Sequence, residues 1–191
     1  MLPARTWQVL LVVSTIGLCW LLMMAVHELG HVLNAWLSGG RVQQVVLHPL
    51  AISRTDVSPN PRPLFVAWGG AGWGVAIPLA LLGIATASHW RHRYLLAFFA
   101  GFCCLANGLY LAAGSFTGAG DAGDLLKHGA AQWLLIAVGL PLGAVGLGIW
   151  NALGESFGLG PARGNVDKQA AIVVTLSLVV WSCVTAAFST W

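Results

Sequence analysis

Residues 7–37 read WQVLLVVSTIGLCWLLMMAVHELGHVLNAWL, an unbroken apolar run that carries His27-Glu28-Leu29-Gly30-His31 in its last third. At 1.5 Å per residue the run makes a helix of roughly 45 Å. A hydrocarbon core of about 30 Å needs less, so one end must tilt or project, and Ser38-Gly39-Gly40 stops the helix there. Two imidazoles four residues apart lie one turn apart on one helix face, where they can share a metal ion, while the intervening Glu flanks it. Polar side chains in an apolar helix also serve as hydrogen-bonding glue between helices. Against that simpler role stands the cost of ionisable groups roughly 9 to 15 Å inside the Leu37 end, which a dication would offset.

The rest of the chain supports a membrane reading. Of 191 residues 58% are apolar and only 8% charged, against about 25% charged in soluble domains, too little to coat a water-soluble globule. The net charge of +3 is dispersed, with nothing denser than Arg91-His92-Arg93, so no nucleic-acid footprint exists. Cys19, Cys103, Cys104 and Cys183 sit in apolar runs without metal-type spacing and read as core residues. The expected fold is an all-α polytopic membrane protein, a single domain over 1–191. It has about five transmembrane helices, near 7–37, 63–87, 94–116, 130–154 and 170–191. The first reads as a retained helix and not a cleaved signal. Between the first two helices, β-branched patches at Val42–Leu47 and Ile52–Val57, separated by Pro49, predict a short β-hairpin-like segment at the membrane surface. Segments 88–93, 117–129 and 155–169 read as loops. Lys and Arg divide almost evenly between the two sides, which leaves the orientation open.

Catalytic zinc normally takes three protein ligands and leaves a fourth position to water. Five spans put Gly118-Ala119-Gly120-Asp121-Ala122-Gly123-Asp124-Leu125-Leu126 on the same side as the HELGH end, so a carboxylate from that loop can complete the set. Asp121 and Asp124 both qualify; each also fits a bland role, as a helix N-cap or a first-turn carboxylate. His128 and His48 are weaker candidates, and His89 and His92, on the opposite side, read as solvated loop histidines. Asn107, about two turns from the end of the third helix, suits a hydrogen bond to substrate, the orientation of a ligand, or a helix–helix contact.

HELGH within a membrane helix, the Gly-rich Gly69-Gly70-Ala71-Gly72-Trp73-Gly74 and the later Asp121-Ala-Gly-Asp-Leu-Leu together resemble the site-2 protease family of intramembrane zinc metallopeptidases, particularly its small members. The resemblance implies one Zn²⁺ per chain held by His27, His31 and Asp121, with Asp124 as the alternative ligand. It also implies Glu28 as catalytic base, and Gly70 and Gly74 as a GxxxG-type element near substrate or ligands. Tyr110 stands where that family carries Pro in an Asn-x-x-Pro run. The implied partners are a transmembrane protein substrate and the lipid bilayer, and the implied setting is a multi-pass integral protein of a bacterial-type cytoplasmic membrane; oligomeric state is open. The competing expectations are a divalent-metal transporter and a non-catalytic membrane-helix-binding protein that retains the metal site. If Val42–Leu47 forms an edge strand, it suits the capture of an unwound substrate by β-augmentation.

Overall fold

A computed structural model describes residues 3–188. Its elements in order are α1 (Ala4–Leu37), β1 (Val42–Val46), β2 (Arg54–Val57), α2 (Pro63–Ala87), α3 (Arg93–Thr117), α4 (Gly120–Lys127), α5 (Gln132–Asn151) and α6 (Lys168–Phe188). All but α4 among the helices are long and apolar enough to cross a membrane. These five correspond to the five apolar runs, with shifted ends. Helix α5 begins at Gln132 and stops at Asn151, short of the expected 130–154, and two 3₁₀ turns (Gly154–Phe157 and Gly160–Ala162) follow it. Helix α6 starts two residues early because Asp167 Oδ1 accepts the amides of Gln169 and Ala170, an N-cap. Residues 189–191 of the expected last span lie outside the described residues.

Segment 117–129 is not the open loop expected from its glycines. Ala122 and Leu125, three residues apart, form an apolar face that buries against Ala67 and Ala71 of α2, Leu111 of α3 and Leu135 of α5. That face makes α4 a short amphipathic helix and pins its first turn beneath α1. Gly118 ends α3 in a left-handed conformation (φ 65°), the turn that reverses the chain into α4.

Helix α1 packs on α2 along one side and α6 along another, while α3 packs on α2 and most extensively on α5. Small residues allow the α3–α5 approach: a Cβ on Gly108 would fall 2.6 Å from the Gly139 carbonyl oxygen. Between α1 and α6, the hydroxyls of Ser14 and Thr175 meet at 2.8 Å.

The two strands form an antiparallel pair, with Val46 opposite Arg54, Val45 opposite Thr55 and Gln44 opposite Asp56. They are shorter than the patches that predicted them, since Leu47 and Ile52 belong to the connecting turn. Arg54 and Asp56 point outward, while Thr55 and Val57 turn inward, toward α1.

Candidate metal centre

The helical spacing of His27 and His31 puts both imidazoles on the buried side of α1, with their Nε2 atoms 3.2 Å apart. Asp121, in the first turn of α4, reaches up to them: its Oδ2 lies 2.7 Å from His27 Nε2 and 3.2 Å from His31 Nε2. Asp124 does not take part. It faces outward one turn later on α4, and its carbonyl accepts from His128 Nδ1 at 2.8 Å. Burial of Ala122 and Leu125 sets this outcome, because it rotates Asp121 inward and leaves Asp124 exposed.

The tautomers follow from the second ring nitrogens. His31 Nδ1 donates to the Val66 carbonyl at 2.8 Å, since a carbonyl can only accept. His27 Nδ1 lies 2.7 Å from Asn107 Oδ1. The Asn107 amide nitrogen is engaged with the Cys103 carbonyl (2.9 Å), so its oxygen faces the ring and His27 also donates from Nδ1. Both Nε2 atoms therefore present lone pairs inward, toward a carboxylate oxygen that is itself buried and receives no hydrogen bond. Three lone-pair donors this close repel one another unless a positive charge lies among them. A tetrahedral ion with bonds of about 2.0 Å separates its ligands by roughly 3.3 Å, and the spacings here approach that value. The three side chains could hold a metal ion.

Backbone close to the imidazoles leaves no space for side chains. A Cβ on Gly70 would lie 2.5 Å from His31 Nε2 and 2.6 Å from His27 Nε2, so only glycine fits beneath the pair. One turn on, a Cβ at Gly74 would come 3.1 Å from both amide atoms of Asn107. Asn34, three residues past His31, ties α1 to α2 by donating to the Phe65 carbonyl (2.6 Å) and accepting from Trp73 Nε1 (3.0 Å). The carbonyl of Val66, which fixes His31, belongs to the segment so held.

Glu28 is 2% exposed and lies beside the same centre. Its Oε2 accepts from the Thr55 hydroxyl of β2 at 2.6 Å. Both residues line a cavity of about 1420 Å³ with His27, His31 and Asp121. The lining also includes Trp20, Met23 and Met24 of α1, Leu109 and Tyr110 of α3, and all four residues of β2. The Tyr110 hydroxyl fills the space over Gly120, next to Asp121.

Of the other histidines, His48 sits in the hairpin turn, where its Nδ1 accepts the Leu50 amide, and His89 is exposed. His92 is not the solvated residue expected: its Nε2 lies 3.1 Å from Asp167 Oδ2 because the N-terminus of α6 brings Asp167 to it. Thr55 and the Val66 carbonyl have no sequence signal, since a hydroxyl in a strand and a main-chain oxygen carry no motif. Asn34 has one, its position on the HELGH face at i+3 from His31. Compared with known proteins, the chain matches no family model, no curated protein and no solved structure.

Proposed function

We propose that this protein is an intramembrane zinc metalloprotease that cleaves peptide bonds of membrane-embedded substrates. The observation that carries the reading is the convergence of His27, His31 and Asp121, from a helix and a segment some 90 residues downstream, beside the buried carboxylate of Glu28 in one cavity. Two imidazoles and one carboxylate are a donor set suited to zinc, with a position left for water. Zinc held there supplies a Lewis acid that acidifies water and polarises a substrate carbonyl.

The protein's own groups do the rest. Glu28 takes a proton from the attacking water and returns it to the leaving amine. Asn107 and the Val66 carbonyl keep the imidazoles in the ligating tautomer and orientation. Apolar side chains of α1 and α3 line much of the cavity, which suits a hydrophobic segment, and β2, which also lines it, offers backbone groups to an extended one. In this reading β2, all of whose residues line the cavity, shares strand capture with the Val42–Val46 strand paired to it, of which Gln43 also lines the cavity. The five long apolar helices support placement in a bilayer, with the centre a short way inside one face.

The test compares wild type with Glu28→Gln on a helical membrane substrate, with bound zinc measured in both. We expect zinc to stay at wild-type level while cleavage falls by about 10²- to 10⁴-fold. Equal cleavage by both proteins would refute the role of Glu28. Zinc flux into liposomes with no cleavage would favour a transporter.

A further inference from the structure

We propose that Thr55 is a positioning residue for Glu28, so that the hairpin holds the catalytic base in its working orientation. This rests on the hydrolase reading above. The contact joins residues remote in sequence: Thr55 Oγ1 donates to Glu28 Oε2 at 2.6 Å and lies 3.5 Å from the Glu28 carbonyl oxygen. A hydroxyl has one proton to give, and a carboxylate accepting it forms a short charge-assisted bond.

A glutamate has three side-chain torsions, and holding one rotamer costs entropy that the surroundings must offset. Fixing Oε2 sets the plane of the carboxylate and leaves the other oxygen to receive a proton. Helix α1 alone cannot do this, because its backbone determines only where the side chain of Glu28 begins.

The register of the hairpin decides which residue meets the base. Inward positions on β2 are Thr55 and Val57, and a slip of one residue would put Arg54 or Asp56 against Glu28. An arginine there would neutralise the base, and an aspartate would repel it. Several bonds pin the base of the hairpin against such a slip. Gln43 Nε2 donates to the Ser58 carbonyl, the Arg41 amide to the Pro59 carbonyl, and the Ser58 amide to the Arg41 carbonyl. The Gly40 amide donates to the Ala35 carbonyl, which ties this base to the end of α1. The chain thus indexes Thr55 to Glu28 from the helix that carries Glu28. Since β2 also lines the cavity, any segment that displaces the hairpin also releases the base.

The experiment uses the full zinc-loaded chain in proteoliposomes with a helical membrane substrate. Thr55→Val keeps the shape and removes the donor, and Thr55→Ser restores it. We expect Thr55→Val to lower kcat by about 10- to 100-fold, the range seen when outer-shell partners are lost, with bound zinc and KM close to wild type. Thr55→Ser should recover most of the loss. A wild-type kcat in Thr55→Val, or an equal loss in Thr55→Ser, overturns the proposal.

A second measurement needs no turnover. Amide hydrogen exchange across 54–57 is followed in Thr55→Val, Glu28→Ala and the double variant. Faster exchange in each single variant, with no further increase in the double, shows that Thr55 holds Glu28; additive effects overturn it. If wild type cuts no substrate, the protease reading fails while this cycle still decides the contact.

Discussion

Among the described residues the bundle carries two histidine–aspartate clusters, one at each end, built from similar side chains and opposite in character. At the α1–α4 end, His27, His31 and Asp121 are enclosed, and the shared carboxylate oxygen receives no hydrogen bond. At the other end, His92 and Arg91 both reach Asp167 Oδ2, at 3.1 and 2.5 Å, while Asp167 Oδ1 caps α6 through two amides. Every acceptor there has a donor and a cation already beside it. The comparison teaches that residue type does not make a metal centre. What sets the α1–α4 cluster apart as one that could hold a metal ion is the direction of the lone pairs, imposed by Asn107 and the Val66 carbonyl, which leaves the shared carboxylate oxygen without a donor.

Removing the shared aspartate from each cluster should break the comparison most sharply. Asp121→Ala should abolish stoichiometric metal binding, a loss beyond the 10- to 100-fold typical of outer-shell changes. Asp167→Ala should leave it unchanged; titration of each purified variant with zinc and measurement of bound metal decides. Equal binding in both variants would mean that Asp121 is not a ligand.

A smaller effect follows from the glycines of α2. Gly70→Ala puts a methyl against Nε2 of both His27 and His31, whereas a Cβ at Gly72 meets nothing within 4 Å. We expect Gly70→Ala to weaken zinc binding at least tenfold, by forcing the imidazoles or α2 to shift, and Gly72→Ala to bind as wild type does. Indistinguishable affinities would show that α2 yields at no cost.

The smallest effect concerns the far cluster and pH. His92 beside Asp167, with the Ala170 amide, holds that carboxyl below the usual carboxylate range. The unfolded chain then takes up the proton first as pH falls, so the stability this group contributes is full above about pH 4 and is lost as pH drops through the lower folded value. Thermal unfolding in detergent should show this acid-side loss in wild type and a flatter profile in Asp167→Asn. The group is close to solvent, so the difference should be modest. Identical profiles would show that the Asp167 contacts contribute nothing.

HELGH was readable because its spacing acts within one helical turn: i and i+4 share a face whatever surrounds them. The five apolar helices were readable for the same reason, since long hydrophobic runs need no partner to be recognised. Asp121 was preferred to Asp124 through the family resemblance alone, because the choice in the structure depends on the rotation of α4. That helix was itself missed: Gly118, Gly120 and Gly123 masked the spacing of Ala122, Leu125 and Leu126. The hairpin was expected, but its register was not, and so the meeting of Thr55 with Glu28 had no trace in the pattern of residues.

From the amino-acid order alone came the five long helices and the two imidazoles, because helical period and hydrophobic length are set by each segment's own backbone. Tertiary structure decided which aspartate turns inward, which carbonyl and amide orient the imidazoles, and which strand residue holds the glutamate. Those choices rest on lateral packing between segments far apart in sequence, where a turn of one residue on α4 or a step of one on β2 exchanges a buried partner for an exposed one.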